Sequence, residues 1–271
     1  MRGFGGMAGA AALVLALAGA AGAGPRVVSL DQCADQFVLE LVPRGDIAGL
    51  SYRAPAPDSY LREVAKGLPL RRADLESVLA ARPVVVVREW GGDEGMVRRL
   101  QARGVRVVGI DDANDFDGVR ANIRKVAAAL GRAPEGEALI GRMDLELAAA
   151  RGAWRGRRAI YLTPGGFTAG QSTLVGAMMQ AAGLANAASA PGFAPAPLED
   201  LVLHRPDAVV LGFFDKGSIS TQHWSLAEHP ALKATMRARV VASLPGAILG
   251  CPAWFAADGA RDLAAAAGKR R

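Results

Sequence analysis

The sequence predicts an α/β protein with two Rossmann-like lobes, each built on a central, mostly parallel sheet, joined by one long α-helix with a ligand cleft between them. Three observations support this. Short apolar strands alternate with helical segments on both sides of the chain's middle. The middle, residues 116–154, carries apolar residues at steps of three and four, which is typical of helices. A Leu-Glu helix followed by Arg-Pro and an apolar strand occurs once in each half, which indicates an internal repeat.

Residues 1–23 are predicted to be a signal peptide. Arg2 precedes an apolar run of small residues that ends in an Ala/Gly-rich segment, as in secretory signals. The run is too short to cross a bilayer as a helix. A retained amphipathic anchor is the alternative, but the run has no charged face. We therefore expect a soluble, exported protein whose mature chain begins at about residue 24.

Composition narrows the function classes. A chain of 271 residues with 51% hydrophobic content is long enough for two cores and too apolar for disorder. Its formal charge of +6 comes without a dense Lys/Arg block, which favours a small anionic ligand or no charged partner over nucleic acid. Cys33 and Cys251 could form one disulfide or remain two free thiols, and the sequence does not decide between these.

The first lobe is predicted to span residues 24–132. Its strands are predicted at residues 26–30, 47–51, 84–87 and 105–110. Its helices are predicted first around Phe37, Leu41 and Val42, then at residues 74–81 and at residues 94–103. Pro83 stops the second of these helices. Because ligands bind beyond the carboxyl ends of parallel strands, we expect the loops at 31–35, 52–53 and 88–90 to share one edge.

A connecting helix is predicted over residues 133–156. Gly131 suits the end of the preceding helix, and Pro134 suits the first turn of this one. The second lobe, residues 157–271, repeats the strand–helix alternation. Its strands are predicted at 159–163, 208–211, 240–243 and 247–249, its helices at 174–182, 198–203 and 258–267, and a glycine-rich loop at 164–173.

Together these segments resemble the periplasmic binding proteins for cobalamin and ferric siderophores, the helical-hinge solute-binding proteins of ATP-driven (ABC) importers. The resemblance rests on the RVVSL and IAGLS strands, the two Leu-Glu/Arg-Pro units and the central helix, and it covers residues 26–267. It implies a monomer that captures a metal chelate, either a ferric siderophore or a heme or corrinoid, and delivers it to an inner-membrane permease.

One stretch departs from the cobalamin-binding relatives. They carry an Asp just before a Trp-Phe pair near the C-terminus and an Arg soon after it, and both reach the corrin side chains. Residues 253–257 of this chain read Ala-Trp-Phe-Ala-Ala instead. This departure argues against cobalamin itself.

The resemblance also implies two sets of site residues. Glu76 and Glu199 fall where each lobe of the family presents a glutamate to arginine pockets on the transporter, although alone they would be ordinary solvated glutamates. The ligand set combines aromatic rings that can stack on a chelate with arginines that can meet its oxygen atoms. That set is Tyr52, Arg53, Arg88, Trp90, Phe167, Phe193, Phe214 and Trp254.

An exported enzyme of unknown reaction is the alternative, with no catalytic residue to nominate. The loop at 165–172 is similar to a phosphate-binding loop but has Gln171 where the lysine belongs. The histidines, His204, His223 and His229, all lie in the second half, so they cannot clamp a bare metal ion from both lobes. We therefore predict neither a metal site nor a resident cofactor.

Overall fold

The computed structural model describes residues 26–213 and 239–268. In it the chain forms two α/β lobes, each with its own parallel sheet, as predicted. The first sheet has the order β3-β2-β1-β4-β5, with β1 Val27–Ser29, β2 Ile47–Ser51, β3 Leu70–Arg71, β4 Val85–Arg88 and β5 Arg106–Gly109. The valines of β4 are all buried, as expected for a central strand covered on both faces.

Aspartate caps begin the helices of the first lobe. These helices are α1 Gln32–Leu41, α2 Leu75–Ala80, α3 Glu94–Gln101 and α4 Phe116–Ala129. At each start an Asp side chain accepts a hydrogen bond from the backbone N–H three residues later, which satisfies a donor that the helix leaves unpaired. After α2 the chain turns through Arg82, at φ 49°, into Pro83, as the Arg-Pro stop predicted.

The connecting helix α5, Ala133–Ala150, has 18 residues and is roughly 27 Å long. It is shorter than the predicted 133–156, because Gly152 and Gly156 adopt positive φ and turn the chain into the second lobe. α5 packs closely along α4 at Gly136, where an added Cβ would lie 2.5 Å from the Cβ of Ala127. The structure does not test the predicted boundaries of the two lobes, so these stay a prediction. The predicted signal peptide, residues 1–23, lies outside the described residues.

The second sheet has the order β11-β10-β6-β8, with β6 Arg157–Leu162, β8 Leu184–Asn186, β10 Ala208–Gly212 and β11 Val240–Leu244. A separate antiparallel pair joins β7 Phe167–Ala169 to β9 Phe193–Pro195. The helices are α6 Leu174–Ala181, α7 Leu198–Leu203, α8 Gly246–Leu249 and α9 Ala256–Gly268. The strand predicted at 247–249 is wrong: this apolar run is too short to show a period, and it forms a helical turn after Pro245.

A disulfide links the two lobes. Cys33, in the first turn of α1, bonds to Cys251, 218 residues later, with the Cα atoms 5.4 Å apart. This resolves the alternative that the sequence left open. Both cysteines are buried, so the link lies inside the molecule.

Residues 251–258, here called the C-terminal anchor, make further contacts with the first lobe. The Trp254 ring meets Phe37 of α1 edge-on at a centroid distance of 5.5 Å. The Phe255 ring stacks on Tyr60 at 4.3 Å, and the Tyr60 hydroxyl donates a hydrogen bond to the Asp258 carboxylate. The lobes are therefore joined at two places, by α5 and by the anchor. No helix within 26–213 or 239–268 is both long and apolar enough to cross a membrane.

Candidate ligand-binding site

Asp31 organises the edge at which the first sheet's strands end. It follows β1 and is buried, and its Oδ1 accepts from the N–H of Ala34 to cap α1. Its Oδ2 accepts from the N–H groups of Glu89, Trp90 and Gly91 at 2.7, 3.2 and 2.9 Å. One carboxylate thus fixes both the start of α1 and residues 89–92, here called the β4 loop. The loop is held in one shape before any ligand arrives.

Arg88 supports the same loop from its other side. Its Nε donates to the Gly91 carbonyl at 2.8 Å and its Nη2 to the Gly92 carbonyl at 3.1 Å. Its Nη1 pairs with the Glu94 carboxylate at 2.9 Å, and its side chain is only 17% exposed. This guanidinium is committed to the loop, so Arg88 acts here as a brace. A direct contact between Arg88 and a ligand would require breaking some of these bonds, and its role toward a ligand stays a prediction.

The aromatic side chains of the first lobe are exposed on this rigid base. Trp90, in the β4 loop, is 63% exposed, and Tyr52, just after β2, is 59% exposed. Arg53, the residue after Tyr52, forms an ion pair with Asp58 at 2.6 Å and donates a hydrogen bond to the Gln32 side chain at 3.1 Å. Large exposed rings on an ordered backbone are suited to stacking against a ligand.

The second lobe carries its exposed aromatics on the β7–β9 pair. Phe167 lies opposite Pro195, and Ala169 lies opposite Phe193. The two phenylalanines are therefore diagonal neighbours on one face, where rings are within reach of each other. They are 48% and 64% exposed. The sequence placed both in loops, because three-residue strands are too short to show alternation.

The two other aromatics of the predicted set differ in position. Phe214 lies outside the described residues. Trp254 belongs to the C-terminal anchor, and its half-buried ring packs against Phe37 and Phe255. Its contacts are those of a packing residue, and its role toward a ligand stays a prediction.

Two carboxyl groups at this edge, which the sequence analysis did not nominate, have raised pKa values. Burial raises the pKa of Asp35 to about 6, although its carboxylate accepts hydrogen bonds from Ser29 and Ser51. Burial, and then the negative charges of Asp31 and Asp112, raise the pKa of Glu89 to about 7. Asp35 could have been found from its place one helical turn after Asp31. Glu89 has no such sequence signal.

The cluster formed by Asp31, Cys33 and Glu89 is not a metal site. Their potential ligand atoms lie within 4.8 Å of one another. The Cys33 sulfur, however, is bonded to Cys251, and Asp31 already accepts four backbone hydrogen bonds. Only Glu89 would remain as a ligand, and one carboxylate does not hold a transition metal ion.

The two predicted docking glutamates occupy equivalent places in the two lobes. Glu76 is the second residue of α2, which precedes β4, and Glu199 is the second residue of α7, which precedes β10. Both are exposed. The equivalence agrees with the internal repeat, and the docking role itself stays a prediction.

Comparison with known proteins identifies the family. The model of a family described as "Periplasmic binding protein" matches residues 27–241. The chain belongs to this family. This confirms the resemblance predicted from the sequence, and the characterised members that it matches are binding proteins rather than enzymes.

Individual periplasmic binding proteins agree with this membership. The heme-binding protein RhuT from Roseiflexus sp. RS-1 is 27% identical, with a TM-score of 0.68 over 91% of this chain and 98% of that one. The heme-binding protein BhuT, solved with two hemes, is 26% identical, with a TM-score of 0.68 over 90% and 99% of the two chains. A cobalamin-binding protein of Halobacterium salinarum is 28% identical over 197 residues, which is 69% of this chain and 53% of the relative. The chain thus spans about half the length of the curated relatives that it matches.

Proposed function

We propose that the protein is the substrate-binding component of an ABC importer, which captures a metal chelate in the periplasm and delivers it to an inner-membrane permease. One observation carries the proposal: both lobes, each built on its own sheet, carry exposed aromatic rings. The related proteins named for heme and cobalamin support a flat, partly apolar chelate. The ligand class is a ferric siderophore, or a heme or corrinoid such as cobalamin. We further propose export by residues 1–23, a soluble monomer and no catalytic step.

Binding would draw on the rings of both lobes. Trp90 and Tyr52 on the first lobe and Phe167 and Phe193 on the second offer stacking surfaces worth about 1 kcal/mol each beyond area burial. Because Asp31 and Arg88 hold the β4 loop in advance, little ordering is needed when the ligand binds.

Lobe motion on binding would be small. The lobes are joined by α5 and also by the C-terminal anchor with its disulfide, so wide hinge opening would strain both connections. A small motion still changes the spacing between Glu76 and Glu199, which the permease would recognise through its arginines.

The test separates binding from delivery. In the Glu76→Ala/Glu199→Ala double variant, chelate affinity measured by tryptophan fluorescence quenching should be unchanged, and transport into cells or permease vesicles should be abolished. The matched control is Glu63→Ala/Glu135→Ala, which removes two exposed glutamates outside α2 and α7 and should transport normally. Normal transport by the first variant would remove the docking assignment. Failure to bind any heme, corrinoid or siderophore in a fluorescence screen would overturn the proposed function itself.

A further inference from the structure

The two arginines predicted to face the ligand on the first lobe are already engaged in ion pairs. Arg88 is held by the β4 loop carbonyls and Glu94, and Arg53 is paired with Asp58. Neither offers an unpaired guanidinium to an incoming carboxylate or catecholate. An anionic group that met either arginine would have to displace one of these partners.

The Glu89 carboxyl is, by contrast, uncompensated among the described residues. It lies at the carboxyl end of β4, and the charged groups that act on it are Asp31, before α1, and Asp112, after β5. Arg88 is the adjacent residue, but its guanidinium is turned to the loop carbonyls and Glu94. Asp31 is occupied by backbone N–H groups, and Asp112 is exposed. Glu89 is thus the half-buried carboxyl that a ligand at this edge would meet.

Exposed rings lie at the same sheet edge as Glu89. Trp90 follows Glu89 directly in the chain, and Tyr52 follows the end of β2. A carboxylate combined with aromatic faces attracts cations and N–H donors, because both the charge and the ring quadrupole are negative toward the ligand. The same arrangement repels a carboxylate or phenolate placed against it.

We propose that Glu89 is a specificity-determining residue that selects chelates presenting an ammonium or amide N–H to the first lobe over chelates presenting an anionic group there. The proposal rests on the proposed function and narrows its ligand class. Since the pKa of Glu89 is raised to about 7, the selection strengthens as pH rises through neutrality. Below that range the protonated carboxyl repels anions less.

The experiment compares three ferric complexes that differ in charge. Ferrioxamine B carries a pendant ammonium, its N-acetyl derivative is the neutral counterpart, and a tris-catecholate complex is anionic. We expect the wild type to bind the ammonium complex most tightly. Its preference over the acetylated complex should grow between about pH 6 and about pH 8, as Glu89 loses its proton.

Glu89→Gln keeps the side-chain size and the backbone hydrogen bond to Asp31 while removing the charge. It should weaken ammonium binding at least about tenfold, the scale of a hydrogen bond between charged partners, and flatten the pH dependence. It should leave the acetylated complex nearly unchanged. Glu63→Gln makes the same charge change on an exposed surface, and it should alter neither the affinity for the ammonium complex nor the pH dependence of that affinity. Unchanged thermal unfolding of both variants shows that they are folded.

The outcomes separate this inference from the proposed function. Tightest binding of the anionic complex, with no effect of Glu89→Gln, would overturn the selectivity role and leave a chelate-binding protein. Absence of binding by any complex, and by heme and cyanocobalamin, would overturn the proposed function and the inference together.

Discussion

At the scale of single residues, the buried aspartates Asp31 and Asp35, one helical turn apart, have different structural roles. Asp31 accepts backbone N–H groups from α1 and from the β4 loop, so its hydrogen bonds fix the shape of the candidate site. Asp35 joins the ends of β1 and β2 through Ser29 and Ser51. Burial favours the protonated form of Asp35 and raises its pKa, so the stability of the first lobe should depend on pH.

The sign of this dependence follows from the raised pKa. The folded protein holds the Asp35 proton up to about pH 6, whereas the unfolded chain releases it near the ordinary value of 3.8. The stabilisation is therefore complete below the unfolded pKa, and roughly 3 kcal/mol is lost as pH rises through the folded pKa. Urea unfolding of wild type and Asp35→Asn, from about pH 4 to about pH 7, should show the wild type falling relative to the variant. Glu89 titrates in both proteins and cancels, so parallel curves would contradict the assignment.

At the scale of elements, the contact between α4 and α5 determines how the connecting helix is held. Gly136 lets the two backbones approach, because a Cβ there would lie 2.5 Å from the Cβ of Ala127. Gly141, five residues later in the same helix, is exposed with nothing within 4 Å of the position of a Cβ. The helix thus contains a glycine that the packing requires and another that it does not.

The two glycines form a matched pair of substitutions. Gly136→Ala should lower the free energy of unfolding by about 1–3 kcal/mol, because the added methyl pushes α5 away from α4. Gly141→Ala should raise it by about 0.5–1 kcal/mol, because alanine favours the helix and meets no neighbour. Chemical denaturation of both variants measures the difference. Equal stabilisation by both would mean that the close approach at Gly136 is not needed.

The sequence predicted the features that depend on local patterns. The apolar residues at steps of three and four from Phe116 to Leu130 predicted α4, because a helix that buries one face repeats apolar residues at that spacing. The continuous valine run predicted β4, because a strand that is buried on both faces is apolar at every position. The hydrogen bonds from Arg88 to the β4 loop could not be predicted, because backbone carbonyl groups accept them and every residue type carries such a group. The pairing of Phe167 and Phe193 was missed for a related reason, since the strands that create it are too short.

At the scale of the whole molecule, the lobes are connected twice. α5 forms one connection, and the Cys33–Cys251 disulfide with the C-terminal anchor forms the other. The rings of Phe37, Trp254 and Phe255 surround the second connection. Relative motion of the lobes is therefore restrained at separate points, which limits it to small changes.

Removing the disulfide should weaken this restraint. In the chain-entropy model a loop this long contributes about 5 kcal/mol, and we expect Cys33→Ser/Cys251→Ser to lower the free energy of unfolding by about 2–5 kcal/mol. The radius of gyration from small-angle scattering should rise slightly in the ligand-free variant, because only α5 and the aromatic contacts then hold the lobes together. Thiol titration of the denatured, unreduced wild type tests whether the disulfide is present. Finding two free thiols in the wild type would disprove the link.

The distance along the chain between the two cysteines also affects when the disulfide can form. Under the proposed export, Cys33 enters an oxidising environment 218 residues before its partner follows. Within these 271 residues, which contain two cysteines, this disulfide is the one intramolecular bridge that can form. Incorrect disulfides between molecules would give covalent dimers or larger oligomers, which non-reducing electrophoresis separates by size.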